Sequence, residues 1–276
     1  MSGALRSGPP AGIPAAARAG GRSRIPAAPA RRDAAADGIA GRDADAAVAD
    51  AAAGIAAEIE RFCEAVFEPL RTMAHAVAAA IPAGRQPALA ELAAVEPLAV
   101  SQLRRADGLV AGSGLVADPH LIIDAPWHLA WWTAGPGGRV EPLRVVSDPA
   151  EDGFRDYTLL EWWAVPRRTG RRHITGPYVD YLCTDALTLT FTVPVHRPDG
   201  SMAGVVGSDV YVARAERLLL PALRAGGRPA TVVNAAGRVV VSTFSGHATG
   251  SLVRTRPDGW LRRDGAGVPF CVLIGE

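Results

Sequence analysis

The chain has 276 residues, a net charge of +1 and 49% apolar residues, enough for one large core or two small ones. So small a charge excludes a global pull toward nucleic acid or an anionic membrane. All 29 basic residues are Arg, which together with abundant Ala points to GC-rich codon usage rather than to a function. Cys63, Cys183 and Cys271 are odd in number, far apart and without a CxxC, so neither a disulfide framework nor a zinc site is suggested. Reduced thiols in a cytoplasmic protein fit best. No run of about 18 apolar residues is present to span a membrane, and no apolar secretory region stands near the start.

Residues 1–44 are rich in Ala, Gly, Pro and Arg without a hydrophobic period, and are expected to be a disordered tail. Their seven arginines also suit a nucleic-acid arm or a transit peptide, although no nucleic-acid partner is expected. From Asp45, the residues Val48, Ala52, Ile55, Ile59, Phe62, Val66, Leu70, Met73 and Val77 recur at three- and four-residue steps. This predicts an amphipathic helix over 45–81, about 55 Å long, kinked at Pro69 and ended by Pro82 and Gly84. The stripe is longer than one small sheet covers. Either part of it packs on a second copy, making a homodimer, or it folds along its own domain as a stalk.

A second helix is expected over 87–105, then a strand over 108–117. Gly112-Ser113-Gly114 lacks the Lys of a phosphate loop and the spacing of a nucleophile elbow, so close backbone packing explains it better. Asp118, His120, Asp124 and His128 fit no metal-ligand spacing. Trp127, Trp131 and Trp132 are expected to cap a sheet or line a pocket mouth. Residues 140–146 form a short strand. A helix or helical turn over 154–163 carries Trp162 and Trp163, and 166–173 is a basic hairpin turn. Strands follow at 178–183, 187–196 and 202–212, the last two joined by the Pro198-Asp199-Gly200 turn. A helix over 213–224 precedes a second hairpin, 230–242, and a final strand at 268–274.

Two adjacent tryptophans beside Tyr178, Asp180 and Asp209 suit a small cation, because ring faces and carboxylates both attract positive charge. The competing reading is a core with two large aromatics and surface acids. The residue order resembles Cache sensor domains, the PAS-like ligand-binding domains of bacterial chemoreceptors and sensor kinases. In the amino-acid-binding members an Arg stands two positions before a Trp-aromatic pair, a Tyr-x-Asp follows about sixteen residues after the Trp, and another Asp ends a Gly-Val-Val-Gly strand. Here Trp162 and Trp163 match the pair, Tyr178 and Asp180 the Tyr-x-Asp (178 − 162 = 16), and Asp209 the last Asp. The Arg position holds Leu160. Since that Arg takes the ligand carboxylate in the family, the resemblance, over roughly 140–245, is to its amine-binding branch.

The resemblance implies an α+β fold, an antiparallel PAS-like sheet preceded by a long N-terminal helix, in one domain over 45–276 whose sheet portion is 108–276. It implies a soluble sensor for a small cationic amine, held by the rings of Trp162 and Trp163, the carboxylates of Asp180 and Asp209, and the Tyr178 hydroxyl. A separate regulatory protein is expected to read the ligand state. No nucleophile with an adjacent base, metal box or cofactor loop appears, so neither an enzyme nor a cofactor is expected. The alternative is a structural or dimerisation module whose pocket is filled by its own side chains.

Overall fold

The computed structural model describes residues 34–105, 107–179 and 186–275, with 34–44 and 136 described by backbone alone. Residues 41–276 form one compact unit, and all packing below lies within it. Helix α1 runs Ala34–Ala80, 47 residues or about 70 Å. It begins inside the stretch expected to be a tail, where Ala, the strongest helix former, predominates. The helix continues through Pro69. Proline there removes the amide partner of the Ala65 carbonyl, and the Arg105 guanidinium donates to that oxygen instead, at 3.4 Å.

Ten strands make two antiparallel sheets, where a single sheet is expected from the sequence. The larger contains β1 (Gly112–Ala117), β2 (Leu129–Ala134), β3 (Val140–Pro142), β4 (His173–Val179), β5 (Leu187–His196) and β6 (Met202–Tyr211), in the order β3-β2-β1-β6-β5-β4. Helix α4 (Val212–Ala225) leaves β6 without a loop, and the chain then builds the smaller sheet. That sheet contains β7 (Ala230–Asn234), β8 (Val239–Ser242), β9 (Leu261–Asp264) and β10 (Phe270–Ile274), in the order β8-β7-β10-β9.

Both sheets turn apolar residues to the same core as α1: Leu189, Phe191, Val206 and Val210 from the larger, Val232, Val240, Val272 and Ile274 from the smaller. Phe62 and Phe67 meet Phe191 edge-on, with centroids 5.9 and 5.2 Å apart. The Arg172 guanidinium lies 4.4 Å from the centroid of the Phe67 ring, over its face, and pairs with Glu64. Every residue of the α1 stripe from Val48 to Val77 is buried within this chain. The surplus apolar length that suggested a homodimer through 45–81 is therefore absent, because two sheets share the helix.

Local differences from the sequence reading have plain causes. The expected helix over 87–105 is a short 3-10 turn, Leu89–Leu92, followed by α2 (Val95–Leu103). Pro97 sits in the first turn of α2, where its missing amide costs nothing. The expected basic turn at 166–173 is largely helical: α3 spans Glu161–Thr169 and ends at Gly170, φ 64°. Arg167 and Arg168 occupy its last turn, at the end whose carbonyls favour cations. β4 starts at His173, earlier than expected, and residues 180–185, including Asp180 and Cys183, lie outside the described residues. Cys63 and Cys271 are free and buried. No helix among the described residues is long and apolar enough to cross a membrane.

Candidate functional site

The alternation of β5 sorts its side chains onto two faces. Leu189 and Phe191 face α1, and Thr190 and Thr192 face the opposite side, all four buried. Strand register then sets out two cross-strand rows on that opposite face. One row is Trp131, Gly114, Gly207 and Thr192; the next is Thr133, Gly112, Asp209 and Thr190. The glycines make room for the Trp131 indole to lie across the sheet. A Cβ at Gly112 would stand 2.5 Å from Trp131 Nε1 and 3.0 Å from Asp209 Oδ2, and one at Gly207 would stand 3.0 Å from Trp131 Cη2. Close approach is thus what Gly112 and Gly114 provide, as their setting in the sequence suggested.

Asp209 is 4% exposed, so its carboxylate needs partners that compensate for lost water. The Thr190 hydroxyl donates to Asp209 Oδ1 at 2.7 Å, and Tyr178 lies 2.8 Å from the same Thr190 oxygen. A Thr hydroxyl has one proton, so with that proton on the carboxylate Tyr178 is the donor to Thr190. Tyr178, Thr190 and Asp209 thus form one hydrogen-bonded chain.

Above the sheet, α3 and the 3-10 turn Tyr157–Leu159 carry an aromatic cover. Tyr157 is pinned by a 2.8 Å hydrogen bond from its hydroxyl to the Ala117 carbonyl, and burial pushes its pKa up, keeping it a neutral donor. Trp162 stacks on Tyr157 at 6.5 Å with 25° between planes, while Trp163 meets it edge-on at 5.3 Å. The adjacent tryptophans divide their work: Trp163, 2% exposed, packs into the cluster under the helix, and Trp162 reaches a cavity.

That cavity is lined by Val116, Leu129, Trp131, Leu143, Trp162, Tyr178, Thr190, Thr192, Val205 and Asp209. About 40 Å³ of it is open to the centre of a water molecule. One water needs about 10–15 Å³ by that measure, so the space suits about three or four small groups. Of the residues singled out in the sequence, Trp162, Tyr178 and Asp209 come together here; Trp163 does not line the space, and Asp180 lies outside the described residues. Trp131, Thr190 and Thr192 join the site without having been assigned to it.

Among the described residues, none of the lining side chains is cationic. Leu160 forms the N-cap of α3 and borders a neighbouring crevice with Arg144, Phe154 and Arg155 instead. Arg167 pairs with Asp118 at 3.4 Å and Arg172 with Glu64, so these two are engaged outside the cavity. Asp124 accepts the Leu89 amide at 2.8 Å. Gly112→Ala should cost about 1–3 kcal/mol of stability by overpacking and should displace the indole, a change read as altered tryptophan fluorescence together with a lower urea midpoint. A variant with parental fluorescence and stability would show that Trp131 is not seated on Gly112.

The architecture is that of known sensor domains. Residues 146–215 match the family described as methyl-accepting chemotaxis protein-like, first PDC sensor domain. The whole fold is similar to "Methyl-accepting Chemotaxis protein X", with TM-score 0.57, 16% identity, and 87% of this chain and 98% of that chain covered. It is also similar to the ligand-binding domain of the Campylobacter jejuni chemoreceptor Tlp3 in complex with L-valine, with TM-score 0.60, 11% identity and coverage of 88% and 96%. The ligand-binding domain of the Pseudomonas aeruginosa PAO1 amino-acid chemoreceptor PctC, in complex with GABA, has TM-score 0.50, 17% identity and coverage of 82% and 96%. No curated protein sequence matches significantly. The segment 146–215 is thus similar to a PDC sensor domain of the chemoreceptor type, and the fold is α+β and Cache-like, a long helix followed by antiparallel sheets.

Proposed function

We propose that this domain is a ligand-binding sensor for a small cationic amine, held at Asp209 between the rings of Trp162 and Trp131. The observation that carries it is a buried carboxylate in a cavity whose other described walls are apolar, aromatic or hydroxyl-bearing, two of them indole rings. A ligand ammonium compensates the carboxylate and meets ring faces. A ligand carboxylate in the same small space would face the Asp209 carboxylate. The solved relatives named above hold L-valine and GABA, both of which carry an ammonium group. Leu160, in the place of the family's carboxylate-binding Arg, supports an amine without a carboxylate.

The discriminating experiment is a thermal-shift panel of methylamine, ethylamine, glycine and L-valine on the intact chain. An amine at a hundred times its Kd adds about 2.7 kcal/mol, a melting shift of about 5–10 °C for a domain of this size. Glycine and valine shifting the midpoint as strongly as the amines would contradict amine selectivity. No shift from any compound would favour a structural module.

A further inference from the structure

We infer that the ligand is a small amino alcohol, whose hydroxyl oxygen accepts from the Trp131 indole N–H. This rests on the amine reading of Asp209 and goes beyond it. Trp131 Nε1 and Thr192 Oγ1 are both buried without a hydrogen-bond partner among the described residues, and both residues line the cavity. Trp131 is 7% exposed and Thr192 1%. Buried polar atoms are rarely left unpaired, and leaving them so weakens a complex.

The chemistry of the two atoms selects what satisfies them. An indole N–H only donates, and an ammonium has no acceptor, so a plain alkylamine leaves Trp131 unpaired. The missing partner is an acceptor atom on the ligand. Trp131 Nε1 and Asp209 Oδ2 both stand over Gly112, 2.5 and 3.0 Å from where a Cβ on that glycine would lie, so the indole N–H and the carboxylate are near neighbours. An anionic acceptor beside the indole N–H would stand near the Asp209 carboxylate, which disfavours a second carboxylate. A hydroxyl is neutral, accepts from the indole, and keeps a proton to donate to a hydroxyl such as that of Thr192. The volume open to water centres, about 40 Å³, suits about four heavy atoms. A two-carbon amino alcohol has four.

The test is calorimetric titration of the intact chain with 2-aminoethanol, ethylamine and glycine, repeated on Thr192→Val and Trp131→Phe. The alcohol should bind about 10- to 100-fold more tightly than ethylamine, the worth of one or two hydrogen bonds to otherwise unpaired groups. Thr192→Val copies the shape of Thr and should lower that preference several-fold; Trp131→Phe, if folded by its melting curve, should bring it near one. Equal affinities of the alcohol and ethylamine for the parent would overturn the inference while leaving Asp209 as the amine site. A preference unchanged in Thr192→Val and in folded Trp131→Phe would overturn it as well. If neither amine binds, the reading of Asp209 fails first, and the amino-alcohol assignment falls with it.

Discussion

Asp209→Ala should weaken amine binding by about 30- to 4000-fold, the effect of removing one member of a desolvated charge pair at about 2–5 kcal/mol. The carboxylate is 4% exposed and bonded to Thr190, so water has little access to stand in for it. Asp209→Asn keeps the volume and an acceptor for Thr190 but removes the charge, and should lose binding almost as far. Asp199 is the control. It lies in the turn between β5 and β6, where its Oδ1 accepts from the Ser201 amide at 2.9 Å, away from the cavity. Asp199→Ala should leave the dissociation constant where it is. Calorimetry on variants whose melting curves stay near the parent's gives the comparison, and parental affinity in both Asp209 variants would place the amine elsewhere.

The second large effect concerns the opposite face of the same strand. Phe191→Ala should destabilise the domain by about 3–5 kcal/mol, because the residue is fully buried and the cavity left behind cannot collapse around two facing rings. Phe62 and Phe67 both meet it edge-on, so the loss also removes aromatic contacts between α1 and β5. Against a typical total of about 5–15 kcal/mol, that is a large share. Urea denaturation should show a lower midpoint with little change in slope. A loss below about 1 kcal/mol would mean that the helix is held to the sheet by something other than this cluster.

Strand β5 shows how far the sequence reaches. Its alternation of apolar residues with Thr gives both its limits, Leu187 and His196, and its two faces. Which face receives a ligand depends on the strands beside it. β1 pairs with β2 on one side and with β6, about ninety residues later, on the other. Only that long-range pairing puts Trp131 beside Gly114 and Gly207, so Trp131 could be read as lining a pocket but not tied to Asp209. Thr190 and Thr192 were missed for the same reason: their alternation identifies a face but not its contents.

Trp162 and Trp163 show the complementary limit. Adjacent residues on a helix point about 100° apart, so one of the two had to turn inward, but the pattern does not say which. The division into two sheets was also hidden. The hairpins of β5–β6 and β7–β8 have similar turn chemistry, and what separates them is α4, an apolar-faced helix that follows β6 directly. With the second sheet unrecognised, the long apolar stripe of α1 looked like a surface in need of another subunit.

The most direct test of the amine site is a crystal structure of the domain with bound ethylamine. The ammonium nitrogen is predicted within about 2.7–3.2 Å of an Asp209 carboxylate oxygen, with its alkyl group against Trp162 and Trp131. Ethylamine found instead in the groove between the two sheets, or in the crevice of Arg144 and Arg155, with the Asp209 cavity unoccupied, would contradict that placement.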